Sequence, residues 1–340
     1  MVNSTVLDEA INISQSIEDF NTEDKNDYRK VSDLFVNKKI KHIVTIARGS
    51  SDSVALYASY LIAKTLGITT YSLPPSLITL EQSRFDFSNT LVIIISQSGL
   101  SDDLIKCTEE CSKMGAHILV ISNNPSSPII NCADFFFDVN AKEEVSVAAT
   151  KSYILSLINI IKLVAITSNN KTILKHLEKL PEYIDREKDN EWDPGIIHKN
   201  ISKGFIISRG LGYALSTEIS LKFKELSLEL IEPFSSAEVM HGPKTLIDDS
   251  LKLFILNLND ASGKNVNEDT KLFKQISNKI YFINALEKDS NNFHFNTTEI
   301  AEIDSILLMS KFYPMIIRYS MLKGINPDKP RYLSKITKTL

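Results

Sequence analysis

The chain has 340 residues, of which 43% are hydrophobic and 24% charged, a composition typical of globular proteins. Its 38 basic and 42 acidic side chains leave a formal net charge of −4, and no cluster of Lys and Arg offsets this near balance. The charge pattern therefore excludes a general electrostatic field for nucleic acid, and we expect no nucleic-acid partner.

The sequence also argues against a membrane, a secretory route and a metal site. The longest apolar stretch, residues 153–166, is interrupted by Asn159 and Lys162 and is too short to span a bilayer. The N-terminus has neither the basic start nor the apolar run of a signal peptide. The three cysteines form no Cys-x-x-Cys pair, and no group of ligand residues has metal-site spacing. We expect a cytoplasmic protein without a membrane partner, metal or cofactor.

Short runs of β-branched residues alternate with amphipathic helical patterns in the first half of the chain. Such alternation predicts an α/β fold with a parallel sheet covered by helices on both faces. The clearest helical patterns lie at residues 52–66 and 102–114. The predicted strands are residues 42–47, 90–96, 117–122 and 133–139.

The second half of the chain repeats this order. Arg48 and Gly49 return as Arg209 and Gly210, a shift of 161 positions. The same shift carries two further strand-like runs onto apolar runs, and a constant offset over three strands predicts a duplicated α/β unit. The predicted organisation is a helical lead-in at residues 1–29, a first domain at 30–190, a second domain at 196–330 and a C-terminal tail at 331–340.

The loop after the strand at 90–96 has the residues expected of a phosphate site. It reads Ser96-Gln97-Ser98-Gly99-Leu100-Ser101 and leads into a helix. In open α/β sheets ligands bind at the carboxyl ends of strands, and free N–H groups at a helix start favour an anion. The hydroxyl and amide side chains add neutral donors. The alternative is that Ser101 caps the helix while the other serines fill a turn.

Only the first copy of this loop is predicted to bind phosphate. The matching residues 257–260 read Asn-Leu-Asn-Asp, so the hydroxyls are missing and a carboxylate is present. The first copy has neither the lysine nor the spacing of a nucleotide P-loop, and Asp102 and Asp103 would repel a triphosphate. A monophosphate is the expected ligand.

Residues 215–231 have the apolar periodicity of one amphipathic helix, which we expect Pro233 to end. Spacings of four, three and four place its polar residues on one stripe, which alternatively is a solvated face with ordinary ion pairs. The stripe consists of Glu218, Lys222, Glu225 and Glu229.

A short turn is predicted after this helix. Residues 235–238 have the spacing of a capping box, and the turn should end at His241-Gly242-Pro243. A histidine in the last turn of a helix has its charged form stabilised by the helix dipole, which makes His241 a candidate proton donor. By contrast, residues 328–335 alone would indicate a frayed basic tail.

Taken in order, five motifs resemble the sugar isomerase (SIS) family, and specifically the isomerase half of glutamine:fructose-6-phosphate aminotransferase. The resemblance covers residues 40–340. It implies two tandem SIS domains, each a flavodoxin-like three-layer sandwich, with the C-terminal tail over the active site. The motifs are Arg48-Gly49-Ser50-Ser51, Ser96-Gln97-Ser98-Gly99, Val147-Ala148-Ala149-Thr150-Lys151, Lys222 through Glu225 to His241-Gly242-Pro243, and Pro330-Arg331-Tyr332-Leu333-Ser334-Lys335.

The resemblance also implies the site residues. Glu225 would move a proton between C1 and C2 of the sugar, with Lys222 as its neighbour. His241 would open the sugar ring from the partner subunit of a homodimer, and Lys335 would engage the open-chain sugar. The residues implied to bind the sugar phosphate are Ser50, Ser51, Ser96, Gln97, Ser98 and Ser101, with Ala148, Ala149 and Thr150 lining the sugar.

Departures from the family pattern shape the expected activity. The aminotransferase has a glutaminase domain with an N-terminal cysteine nucleophile, whereas the second residue here is Val2. We therefore expect a SIS-type glucosamine-6-phosphate deaminase, which releases ammonia and fructose 6-phosphate. Leu100 stands where the family usually has Glu, and Arg48 replaces a small residue. The alternatives are a fructosamine-phosphate deglycase, another amino-sugar-phosphate isomerase, or a non-catalytic sugar-phosphate sensor.

Overall fold

The computed structural model describes residues 4–197, 203–284 and 291–335. In these ranges the strands are β1 His42–Ile46, β2 Thr69–Ser72, β3 Thr90–Ile95, β4 His117–Ser122, β5 Phe135–Asp138, β6 Lys203–Ser208, β7 Leu230–Ser235, β8 Lys252–Leu256, β9 Ile280–Ile283 and β10 Asn292–Phe293. The helices are α1 Thr5–Ile11, α2 Ile13–Glu23, α3 Tyr28–Val36, α4 Ser50–Leu66, α5 Pro75–Thr79, α6 Asp102–Lys113, α7 Lys151–Thr167, α8 Lys171–Glu178, α9 Leu180–Arg186, α10 Leu211–Lys222, α11 Ser236–Val239, α12 Ala261–Phe273 and α13 Ala301–Leu322.

The first of two compact units contains the strands β1 to β5. Of the described residues, this first-sheet unit comprises those within the ranges 13–145, 149–181 and 333–340. Its five-stranded parallel sheet has the order β2-β1-β3-β4-β5. Val44 of β1 and Val92 of β3 pack with Leu104 of α6 on one face of the sheet. Because side chains alternate along a strand, the next residue of each strand faces the opposite side, where α4 contacts β1 and β3. The predicted α/β architecture is confirmed.

The second-sheet unit comprises the described residues within the ranges 1–12, 146–148 and 182–332. Its parallel strands have the order β10-β9-β8-β6-β7. Phe273 of α12 packs on one face. On the other face Phe223, directly after α10, packs against Phe254 with ring centroids 5.2 Å apart and the rings tilted by 44°. Taken from the opposite edge, the order is β7-β6-β8-β9-β10, which is the order of the first sheet.

Strand register supports the predicted duplication for the central pair of strands. Val44 pairs with Val92 in the first sheet, and Phe205 pairs with Leu253 in the second. Both members of the second pair lie 161 positions after their counterparts. The two sheets therefore share connectivity, strand order and the register of their central pair.

The predicted offset is wrong by one residue in the next strand. Val92 pairs with Ile118, whereas Leu253 pairs with Ile280, so the offset has grown to 162. Strands β4 and β9 are buried on both faces, and a continuous apolar run does not show which face each side chain occupies. The pattern could not reveal the extra residue.

The compact units combine segments that are distant in the sequence, whereas the limits expected from the sequence are continuous. Within the second-sheet unit, Asp328 accepts hydrogen bonds from the Ser4 hydroxyl at 3.2 Å and from the Val6 N–H at 2.9 Å. Helix α2 belongs to the first-sheet unit. Hydrophobic periodicity predicts such terminal helices, but it does not show which sheet they pack against.

The helices also bear on the question of membrane crossing. Among the residues described, no helix is both long enough and apolar enough to cross a bilayer.

Candidate functional site

The loop between β3 and α6 is a tight turn rich in hydroxyl groups. Ser96 is buried, and its Oγ accepts a hydrogen bond from the Gly99 N–H at 3.2 Å. The Ser98 Oγ accepts from the Leu100 N–H at 3.2 Å. Each hydroxyl still has its own hydrogen to donate to an anion. Gly99 has φ +64°, and a Cβ there would lie 2.2 Å from the Ser127 Oγ, so this turn requires glycine.

The helix that follows this loop starts without a side-chain cap. Ser101 occupies the N-cap position of α6 but makes no capping hydrogen bond. The alternative that Ser101 caps this helix is therefore wrong, although the other serines do form a turn, as that alternative expected. In the second-sheet unit, the carboxylate of Asp260 accepts from Ser262 N–H at 2.9 Å and from Gly263 N–H at 3.0 Å. A built-in anion thus occupies the start of α12, whereas α6 has none at its cap.

This contrast predicts that substitution at one N-cap lowers stability, whereas substitution at the other weakens ligand binding. Asp260→Ala removes two capping bonds and should lower the free energy of unfolding by about 0.5–2 kcal/mol. Ser101→Ala should change it by less than about 0.5 kcal/mol, yet weaken the binding of a sugar phosphate. Urea unfolding and calorimetric titration with glucosamine 6-phosphate measure the two effects. An equal loss of stability in both variants would show that Ser101 is a cap.

Ser50 and Ser51 lie at the same edge of the first sheet as this loop. They begin α4, which follows β1, and β1 and β3 are adjacent with Ile46 opposite Ile94. In the strand order 2-1-3-4-5, β2 is added on one side of β1, and β3 to β5 are added on the other side. Ligands of such sheets bind in the crevice at this switch in strand order, between β1 and β3. Gly49, before α4, has φ +57°, and a Cβ there would meet nothing within 4 Å, so its backbone is open to a ligand.

The last residue of the predicted sugar-lining segment is bound by a buried carboxylate, Glu144, that the sequence pattern did not indicate. Ala148 is buried in the second-sheet unit, whereas Ala149 and Thr150 belong to the first-sheet unit. The Glu144 Oε1 accepts from the Thr150 N–H at 3.0 Å and from the Ser152 N–H at 3.1 Å. Glu144 thereby satisfies the N–H groups at the start of α7.

The same carboxylate holds the lysine of the C-terminal tail. The Lys335 Nζ lies 3.2 Å from the Glu144 Oε2. Burial alone would raise the pKa of Glu144, but Lys335 and the hydrogen bonds from Ser152 and Thr150 outweigh it and hold the pKa below its ordinary value. Lys335 is therefore anchored, and its description as part of a frayed tail is wrong. The remaining residues 336–340 lie outside the described part of the chain.

Glu225 lies on a π-helical turn rather than in the long helix expected. Helix α10 ends at Lys222, and Phe223–Ser227 forms the π turn. Leu228 then has a left-handed φ of 58°, and the chain continues as β7. Pro233, predicted to end the helix, lies in β7, an edge strand that tolerates a missing N–H. Apolar spacing fits α- and π-turns alike, so the sequence could not distinguish them; π turns often occur at functional sites.

The polar stripe is buried, so its interpretation as a solvated face is wrong. Glu218 and Lys222 are fully buried. The Lys222 Nζ lies 2.6 Å from the Glu225 Oε2 and 3.4 Å from the Glu218 Oε1. Tyr313 donates to Glu218 at 2.9 Å. Burial works to lower the pKa of Lys222, but the two carboxylates outweigh it and raise that pKa, so the ammonium stays charged. Glu225 is the partly exposed member, with 20% of its side chain accessible.

Helix α13 fixes the end of the π turn through residues that the sequence analysis missed. The Lys323 Nζ donates to the Ser227 carbonyl at 2.8 Å and to the Glu229 Oε1 at 2.6 Å. Tyr319 donates to the same Oε1 at 2.8 Å. Burial raises the pKa of Glu229 despite these donors. The only signal in the sequence was polar residues within an apolar helix, which does not identify their partners.

His241 lies in an exposed turn of the second-sheet unit after α11, and its N–H donates to the Glu238 carbonyl at 3.0 Å. The predicted capping box is not formed, because Ser235 makes no side-chain bond at the N-cap. Since α11 has only 4 residues, its dipole gives little support to the charged histidine. The role of His241 therefore rests on the family resemblance. In the described residues no group of three or more potential ligands could hold a metal.

Comparison with known proteins identifies the first-sheet region. The family model of the SIS domain matches residues 38–166. Residues 38–166 form a SIS domain. The resemblance to the sugar isomerase family is thereby confirmed, and this SIS domain contains β1 to β5, the Ser96–Ser101 loop and the start of α7.

Similarity to relatives extends beyond the matched SIS domain. The chain is 27% identical over 310 residues to glutamine–fructose-6-phosphate aminotransferase (isomerizing) of Methanothermobacter thermautotrophicus, covering 87% of this chain and 51% of that protein. The chain thus spans about half the length of this curated relative.

Solved structures match almost the whole chain. A protein assigned as a phosphosugar isomerase, from Silicibacter pomeroyi DSS-3, has a TM-score of 0.87 at 26% identity and covers 96% of this chain and 100% of its own. Glucosamine-6-phosphate deaminase from Thermotoga maritima has a TM-score of 0.74 at 18% identity, with coverage of 99% and 100%. At that identity the second match shows the fold alone.

Proposed function

We propose that this chain is an enzyme that converts glucosamine 6-phosphate to fructose 6-phosphate and ammonia. The observation that carries the proposal is the partly exposed Glu225 carboxylate, set on a π turn 2.6 Å from the buried ammonium of Lys222. A carboxylate of this kind is a suitable base for proton transfer between adjacent carbons. The SIS domain and the aminotransferase relative support a phosphorylated amino sugar as the substrate.

The reaction requires three changes in the sugar. His241 protonates the ring oxygen, which opens the ring and exposes the C1 aldehyde. Glu225 removes the C2 proton to form an enolamine and returns a proton to C1, leaving an imine at C2. Water adds to this imine and expels ammonia, leaving the C2 ketone of fructose 6-phosphate. The atoms balance with water as the only co-substrate.

Lys222 supports Glu225 through its permanent charge. It holds Glu225 in one orientation, and its raised pKa keeps it positive throughout turnover. When negative charge develops on the sugar oxygens near Glu225, a cation already in position stabilises it without reorganisation. Lys222 therefore contributes to the step without exchanging a proton itself.

Binding of the substrate is assigned to the other predicted residues. The phosphate is held by hydroxyls of Ser50, Ser51 and the Ser96–Ser101 loop, and the sugar by residues 148–150. Lys335, anchored by Glu144, engages the open-chain sugar. The second subunit of a homodimer supplies His241.

An assay without glutamine separates the proposed deamination from glutamine-dependent transfer. The test is a panel without glutamine: glucosamine 6-phosphate, free glucosamine and a fructosamine 6-phosphate conjugate. Ammonia and fructose 6-phosphate are measured by coupled assays. We expect both products in equal amounts from glucosamine 6-phosphate.

Other outcomes of this panel would replace the proposal. Cleavage of the fructosamine conjugate alone would identify a deglycase. Binding of sugar phosphates without turnover of any of them would identify a sensor.

A further inference from the structure

Arg48 lies at the same sheet edge as the Ser96–Ser101 loop. It lies two residues after the end of β1, and Ser96 directly follows β3. Ile46 and Ile94, two residues before each, are directly paired in the sheet. Arg48 and Ser96 therefore leave adjacent strands at the same level, at the point of the strand order where ligands bind.

An ion pair anchors one edge of the Arg48 guanidinium. Its Nε and Nη2 both donate to the Asp103 Oδ2 at 3.1 Å. Asp103 lies in the first turn of α6, directly after the loop, with 2% of its side chain exposed. Arg48 itself is 52% exposed. These bonds use one edge of the guanidinium, which leaves Nη1 and the second Nη2 hydrogen for another acceptor.

The charge balance at this edge requires a cation if a phosphate is to bind. Residues 47–53 and 96–103, which follow β1 and β3, contain three carboxylates and a single cation, Arg48. The carboxylates are Asp52, Asp102 and Asp103. A phosphate dianion at the start of α6 would meet their repulsion. Arg48 offsets that repulsion directly at Asp103, the most buried of the three.

The second copy lacks this arrangement. Arg209 holds the matching place after β6, but the residue 161 positions after Asp103 is Lys264, not a carboxylate. The start of α12 is capped by the carboxylate of Asp260. Arg209 is therefore a matched control for Arg48, with the same residue type at the same point of the fold.

We propose that Arg48 is a phosphate ligand of the first-sheet unit. Its guanidinium, held by Asp103, supplies the charge, and the loop hydroxyls supply neutral donors. This inference rests on the proposed function and deepens it: the site selects phosphate dianions and rejects uncharged amino sugars.

The experiment compares Arg48→Gln, Arg209→Gln and Asp103→Asn with the wild-type chain. Inorganic phosphate and glucosamine 6-phosphate are titrated by calorimetry, with circular dichroism to confirm folding. Arg48→Gln should weaken both by roughly 10-fold or more, because a charged hydrogen-bond donor is lost. Arg209→Gln should leave both unchanged, and Asp103→Asn should bind at least as tightly as the wild type.

The pH dependence of phosphate binding gives a second readout. Because the second pKa of a phosphate monoester is about 6, wild-type affinity should rise between about pH 5.5 and 7.5 as the dianion forms. This rise should shrink in Arg48→Gln. A purely structural role for Arg48 would not alter the slope.

Three results would overturn the assignment. They are unchanged affinity in Arg48→Gln, an equal loss in Asp103→Asn, and a wild-type chain that binds neither ligand. Failure of the proposed function looks different: phosphate binding that depends on Arg48, without ammonia release from glucosamine 6-phosphate.

Discussion

Replacing Glu225 with Gln should lower kcat for ammonia release from glucosamine 6-phosphate by about 10²–10⁴-fold, the usual contribution of a positioned base. The amide keeps the shape of the side chain and can still accept a hydrogen bond from Lys222, but it cannot take up the C2 proton. Substrate binding should survive. Initial rates and calorimetric titration measure the two quantities separately.

The matched control is Glu232→Gln. Glu232 is a neighbouring carboxylate on β7, 44% exposed and paired with Lys224 at 3.1 Å. A surface pair of this kind contributes little, so the variant should keep turnover within about twofold of the wild type. Wild-type turnover in Glu225→Gln would show that the base lies elsewhere.

Replacing Lys222 with Met should cause the largest loss of stability. The substitution removes the cation beside Glu218, a carboxylate that is fully buried. Breaking a buried ion pair on one side typically costs about 3–5 kcal/mol, because the remaining charge loses its compensation. Urea unfolding of the full chain measures the change.

Two variants separate burial from charge in this result. Lys224→Met removes a lysine two positions away, 38% exposed, and should change stability by less than about 0.5 kcal/mol. The double variant Glu218→Gln/Lys222→Met should recover much of the loss, because Tyr313 can still donate to the neutral amide. No recovery in the double variant would contradict an electrostatic origin.

The central strands of the sheets were predictable because they are buried on both faces. The runs at β1, β3 and β4 consist of β-branched and apolar residues, and this pattern follows directly from burial. The duplication was predictable from the Arg-Gly pairs, which precede α4 and α10 in both copies. Gly49 and Gly210 have nearly the same backbone angles, φ 57° and 58°.

The environment of the candidate site was less predictable, because it depends on contacts between distant segments. Glu144 and Lys335 are separated by 191 positions, and Tyr313 and Glu218 by 95. Local periodicity carries no information about such pairs. The polar stripe could therefore be recognised from its spacing, whereas its burial required α13, whose position no local pattern shows.

The most direct test of Glu225 as the base is solvent deuterium exchange into fructose 6-phosphate, followed by proton NMR in D2O. The wild-type chain should incorporate deuterium at C1, because Glu225 removes a C1 proton and returns one equilibrated with solvent. His241→Ala should retain some exchange on sugar that has opened unaided. Glu225→Gln should show none, and exchange persisting in that variant would contradict the assignment.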